Sequence, residues 1–150
     1  MSQPESVREV LRRVLASQRY AVLATDSAGQ PYTSLMAFAA SDDLRDFTLI
    51  TERSTHKYAN LRANPRVALF IDNRENVGTD TRDAVAVTAL GEAQEVAGEE
   101  EARLRRGYVA RHPYLEAFAD SASSAVVRVR LKSCLVVRRF EEVLEWRPDD

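Results

Sequence analysis

Between Tyr20 and Thr51 three β-rich runs follow one another with only short polar turns between them. "YAVLAT" (Tyr20–Thr25) leads through "DSAGQP" into "YTSLMAFAA" (Tyr32–Ala40), and the polar "SDDLRD" leads on to "FTLIT" (Phe47–Thr51). Two hairpin-like connections in so short a span predict an antiparallel sheet. "RVALFID" (Arg66–Asp72) adds a strand after Asn64-Pro65, a pair that stops any preceding helix. "NRENVGTDTRD" (Asn73–Asp83) has no apolar period and reads as a loop. A long strand, "AVAVTALGEAQEV" (Ala84–Val96), follows, with Gly91 marking a bulge or bend. Two final strands, "AVVRVRLK" and "CLVVRRFEEVLEW", close the list; Val and Arg alternate in the first. About six strands, mostly in antiparallel succession, predict a mainly β (α+β) domain. Its core is a small six-stranded barrel, closed or partly closed, with peripheral helices packed outside.

The helices are legible from their apolar spacing. In "SQPESVREVLRRVLASQ" Val7, Val10, Leu11, Val14 and Leu15 share a face, and Ser2 with Glu5 fits a capping box. A helix over about residues 3–17, lying across the sheet, is expected. "GEEEARLRRGYVARHP" is helical, with Leu104 and Tyr108 on one face, and "YLEAFAD" adds a turn bearing Tyr114 and Phe118. The tail "RPDD", about residues 147–150, is expected to be frayed and disordered. At 150 residues the chain suits a single domain, 1–150, with one core.

Composition narrows the function classes. A formal charge of −2 argues against bulk nucleic-acid binding. No apolar run approaches the roughly 18 residues a spanning helix needs, and no signal-like segment opens the chain, so a cytoplasmic protein without membrane partners is expected. Cys134 is the only cysteine, which leaves no disulfide framework and favours a buried structural thiol.

One stretch breaks a physical rule. In "TERSTHKYANLRANPRVALFI" (Thr51–Ile71) a short helix begins after Ser54 and Thr55, both good N-caps, yet Arg53, His56 and Lys57 surround its start. A helix N-terminus carries partial positive charge and unpaired N–H groups, so acidic residues are the usual company. The helix opening "GEEEARL" obeys that rule with Glu99 to Glu101. Cations, two hydroxyls and backbone N–H groups together describe an anion cradle, which a phosphate dianion would turn into a favourable three-way contact. Lys57 is one of only two lysines in the chain.

The order "GQPYTSLMAFA", "FTLIT", "RSTHKYANLRANPRVALFI" resembles the pyridoxamine 5'-phosphate oxidase-like FMN-binding split barrels, from about Tyr20 to Val96; the later "RHPYLEAFADS…VRV" is similar too. The resemblance implies a split barrel and an FMN site. Ser34, Leu35 and Met36 would run along the isoalloxazine and ribityl chain, and Ile50 and Thr51 would meet its polar edge. Thr55, His56 and Lys57 fall on the family's phosphate site, with Arg53 and Ser54 adjacent. It also implies a homodimer whose sites are completed by the neighbouring subunit, and a small-molecule substrate or electron donor. Departures matter: Ser34 and Ala39 stand where family oxidases carry basic residues, His56 stands where they have Arg, and no substrate-gripping Arg is evident beside Trp146. The chain therefore looks like the shorter relatives, flavin reductases and heme-utilisation proteins. A flavin-dependent oxidoreductase is the expectation. A heme-binding or heme-degrading barrel with His56 or His112 as axial ligand, a deazaflavin-dependent reductase and a non-catalytic flavin carrier are the alternatives.

Other residues carry less. His112 suits a structural role as a cation near a helix C-terminus, and Trp146 suits packing of the tail against the barrel rather than cover for a flavin. Glu141, Glu142 and Glu145 form no metal motif, and no metal centre is expected. No catalytic side chain is assigned.

Overall fold

The computed structural model describes residues 5–148. Helix α1 spans Val7–Ser17 and buries Val10, Leu11, Val14 and Leu15, the face expected from the spacing. Its cap is not the expected pair. Ser6 Oγ accepts from the Glu9 backbone N–H at 3.1 Å and donates to the Glu9 carboxylate at 3.1 Å. The same S-x-x-E spacing thus recurs four residues later, directly ahead of the buried face, and Glu5 instead pairs with Arg13 at 3.1 Å. Ser2 lies outside the described residues.

The strands are β1 (Tyr20–Ser27), β2 (Gln30–Ala37), β3 (Ala39–Ala40), β4 (Asp46–Glu52), β5 (Arg66–Asp72), β6 (Ala86–Glu95), β7 (Ser124–Arg138) and β8 (Glu142–Trp146). All pairings are antiparallel, in the order β2-β1-β5-β6-β7-β4-β3, with β8 added beside β7. The result is an open, curled antiparallel sheet with flanking helices, of eight strands among the described residues where six were expected. Two local events shift the strand boundaries from those read in the sequence. Phe38 alone interrupts the "YTSLMAFAA" run, so β2 pairs with β1 while β3 crosses to β4. Conversely, "AVVRVRLK" and "CLVVRR" are one strand of 15 residues, and the chain reverses only at Arg139 and Phe140, both at positive φ. The expected first hairpin turns at Ala28 and Gly29, both at positive φ, with Asp26 Oδ1 accepting from the Gly29 N–H at 2.8 Å.

The remaining helices are α2 (His56–Ala63), α3 (Asp80–Asp83), α4 (Gly98–Arg111) and α5 (Glu116–Ala119), the last preceded by a 3₁₀ turn, Pro113–Leu115. Helix α3 interrupts the segment expected to be all loop. Asp80 stabilises it by accepting from the Glu75 and Val77 N–H groups. Two apolar clusters result. The larger fills the inside of the curl with Leu23, Phe38, Phe47, Leu69 and Val129 among others. The smaller packs Ala37, Ile50 and Val126 beneath Tyr108 and Ala119.

Gly91 sits where the β6–β7 register shifts: Leu90 pairs with Ser133 and Gly91 with Leu131, so Lys132 is the extra residue and the bulge lies on the partner strand. A Cβ on Gly91 would stand 2.5 Å from the Arg130 carbonyl oxygen and 2.9 Å from Val129 Cγ1. Gly91→Ala should therefore destabilise the protein by about 1–3 kcal/mol, read as a lower urea midpoint at unchanged slope. An unchanged midpoint would mean the strands separate there at no cost.

Of the tail expected to fray, Arg147 pairs with Glu145 at 2.8 Å, and residues 149 and 150 lie outside the described residues. Trp146 is buried in the larger cluster opposite Cys134, as expected for packing against the barrel. Cys134 is fully buried, and burial pushes its thiol up to about 12, which makes it an inert filler.

Candidate functional site

The tip of α2 is built by its own cap. Thr55 Oγ1 accepts from the Tyr58 N–H at 3.3 Å and donates to the Glu52 carbonyl at 2.8 Å, while the Thr51 hydroxyl lies 3.2 Å away. The helix is anchored along its length. Asn60 donates to Thr25 Oγ1 at 3.1 Å in the interior, and Tyr58 donates to Glu95 at 2.6 Å. The Tyr58 hydroxyl, first, and then Arg53 hold the Glu95 carboxyl below the usual carboxylate range. With both flanks pinned, the first turn keeps one direction relative to β2 and β4.

That direction is toward a cleft of about 230 Å³. Leu35, Met36 and Ala37 of β2 form one wall, Ile50, Thr51 and Glu52 of β4 the floor, and Thr55 and Lys57 the charged end. Tyr20 stands at its side, and Tyr108, Leu115 and Phe118 cover it. Six of the ten residues singled out from the sequence thus meet in one place: Leu35, Met36, Ile50, Thr51, Thr55 and Lys57.

The other four stand apart from the cleft lining. Arg53 turns to Glu95 at 2.9 Å and to the Ala122 carbonyl at 3.1 Å, because a carboxylate across β6 competes better for a guanidinium than the positive end of a helix does. Ser54 is exposed beside it. His56 is exposed too, its ring 6.1 Å from that of Tyr32. Ser34, half-buried one residue ahead of Leu35 on β2, does not line the cleft. Of the three cations anticipated for the cradle, Lys57 is the one that lines the cleft.

Sequence reasoning missed Tyr20, Ala37, Glu52, Tyr108, Leu115 and Phe118. A partial signal existed, since Tyr108 and Phe118 belong to recognised apolar faces, but nothing local says what those faces cover. Glu52 brings a carboxylate, held by the Ser123 and Ser124 hydroxyls. A larger groove of about 630 Å³ runs over the outer sheet face among Ala24, Asp26, Arg66, Leu90 and Lys132, where Lys132 pairs with Glu92 at 2.9 Å. Size alone would favour it; the convergence of a helix tip, a cation and apolar walls favours the smaller cleft.

Behind the cleft lies His112, fully buried at the end of α4. Its Nε2 is 2.7 Å from the Phe38 carbonyl, and its Nδ1 is 3.1 Å from the Tyr114 hydroxyl. The expected structural role holds, but the expected cation does not. Burial, first, and the cations Arg111 and Arg19 push the imidazole below its ordinary value of 6.5, outweighing the bond to Phe38, so the ring is neutral at pH 7. Tyr108, packed 5.1 Å from it, is pushed up to about 12, mainly by burial.

A family model described as pyridoxamine 5'-phosphate oxidase matches residues 7–146. A pyridoxamine 5'-phosphate oxidase homolog from Schizosaccharomyces pombe is 34% identical, over 47% of this chain and 43% of that protein. Among solved structures, a heme binding protein from Mycobacterium smegmatis superposes with a TM-score of 0.86 at 20% identity, covering 99% of this chain and 60% of that one. A protein from Clostridium acetobutylicum related to general stress protein 26, of the pyridoxinephosphate oxidase family, superposes with a TM-score of 0.74 at 15% identity, over 98% of each chain. The chain thus spans less than half of the S. pombe relative and about three-fifths of the mycobacterial one.

Proposed function

We propose, since the chain belongs to the pyridoxamine 5'-phosphate oxidase family, that it binds FMN in the cleft beneath Tyr108 and acts as a flavin-dependent oxidoreductase. One observation carries the reading: an apolar slot ends at a helix tip and a lysine. Lys57 and the first-turn N–H groups of α2 suit a phosphate; Leu35, Met36 and Ile50 suit the ring system; Thr51 sits between them. FMN, when bound, would supply hydride or electron transfer. The protein's own part is to hold the phosphate, orient the rings and exclude water beneath Tyr108, Leu115 and Phe118.

The reading includes a homodimer. A cleft of about 230 Å³ is smaller than the roughly 300–1,000 Å³ usual for ligand pockets. It opens beside an outer sheet face where Leu35, Val22, Phe70, Thr88 and Leu135 fall in one cross-strand row. Leu35 is 72% exposed and Phe70 38% exposed in the single chain. A second copy laid on that face would cover the apolar row and complete the cofactor's surroundings.

Heme is the second reading, favoured by the likeness to the mycobacterial heme binding protein. Against it, neither histidine lines the cleft, and both ring nitrogens of His112 are engaged. A visible spectrum of the purified protein separates the two. Flavin bands in the blue and near-ultraviolet are expected. A Soret band on adding hemin that His56→Ala or His112→Ala abolishes, with no uptake of FMN, would overturn the flavin reading.

A further inference from the structure

Three side chains at the cleft's edge form a hydrogen-bond chain whose direction can be worked out atom by atom. The Phe38 carbonyl can only accept, so His112 Nε2 carries the hydrogen and donates across the 2.7 Å contact. A neutral imidazole has one N–H, so Nδ1 is bare and must accept from the Tyr114 hydroxyl at 3.1 Å. Tyr114 has then spent its only proton. The 3.0 Å contact between the Tyr114 and Tyr20 hydroxyls must run from Tyr20 to Tyr114. Tyr20, which lines the cleft, is left with lone pairs only.

We infer that Tyr20 meets the cleft's occupant as a hydrogen-bond acceptor and selects for a cofactor with a donor at that end. This rests on the cleft being the cofactor site and narrows what it takes. An oxidised isoalloxazine presents one ring N–H, on its imide, and suits an acceptor. A metalloporphyrin rim presents ionised carboxylates, which are acceptors themselves and would meet Tyr20 lone pair to lone pair. His112 thereby acts as a positioning residue, through Tyr114, on a ligand it does not touch.

The groups around His112 keep the chain in this polarity. Arg111 on α4, Arg19 ahead of β1 and the rings of Tyr108 and Tyr114 surround it, and no carboxylate contributes to its shift. Protonation of Nδ1 would reverse both tyrosine contacts and turn Tyr20 into a donor toward the cleft.

Two measurements test this. Isotope-edited NMR of the histidine rings in the ligand-free protein should show His112 with hydrogen on Nε2 and a bare Nδ1 at neutral pH; hydrogen on Nδ1 alone would overturn the inference. Fluorescence quenching at mildly alkaline pH should then show riboflavin binding at least about fivefold tighter than riboflavin methylated on its imide nitrogen, the cost of an acceptor left unmet once the ligand covers it. Tyr20→Phe should abolish that preference, and a preference unchanged in Tyr20→Phe would overturn the assignment. If the wild-type protein binds neither riboflavin nor FMN, the cofactor reading fails by itself, and the NMR result alone upholds or overturns the acceptor state of Tyr20.

Discussion

Phe38→Ala should cost about 3–5 kcal/mol of stability, the range for truncating a fully buried phenylalanine. Its ring is 0% exposed and lies 5.4 Å from that of Phe47, with the Arg111 guanidinium 5.6 Å from its centroid. Position matters as much as burial. Phe38 is the one residue between β2 and β3, the two ends of the strand order, so the same ring packs the curl's interior where the chain crosses from one end to the other. Its carbonyl also receives His112. Against a total stability of roughly 5–15 kcal/mol for a domain, this loss ranges from about a fifth of the total to all of it. Urea unfolding should show the midpoint falling by a large fraction. A loss under about 1 kcal/mol would mean the seam is held by backbone pairing alone.

Lys57→Ala should weaken FMN by about tenfold to a hundredfold and riboflavin by less than about twofold, the difference being one charge-assisted contact to phosphate. The asymmetry follows from the site as folded. Arg53 is committed to Glu95 and His56 lies beside Tyr32, so Lys57 is the one cation lining the cleft among the described residues. Had the three acted together, removing one would cost little. Titration of the two ligands by fluorescence quenching gives the ratio directly, and equal losses for both would place the phosphate elsewhere.

Much of the fold was legible because the signals are local. "RVALFID" reads as the strand Arg66–Asp72 to the residue, since Asn64-Pro65 stops one element and Val, Leu and Ile alternate in the next. The pairing of Gly91 with a bulge was legible as well, although the extra residue proved to be Lys132 on the facing strand. The break at Phe38 was not, because phenylalanine itself favours strands and only the curl of the sheet demands a crossing there. For the same reason β7 hid as two strands: nothing in "RLKSC" says whether the chain turns or bulges.

The site divides along the same line. Residues within one segment, from Thr51 to Lys57, could be read together, because caps and helix dipoles act within a turn. The roof of Tyr108, Leu115 and Phe118 could not, and neither could the turning away of Arg53 toward Glu95.

By itself, then, the sequence determined most of the strands, the Thr55 cap and the odd helix start, since periodicity and dipoles act over a few residues. Tertiary structure alone decided which cation faces the cleft, what covers it and which way the Tyr20 proton points. Those depend on groups far apart in the chain, and sheet register and helix docking, rather than local preference, set the distances between them.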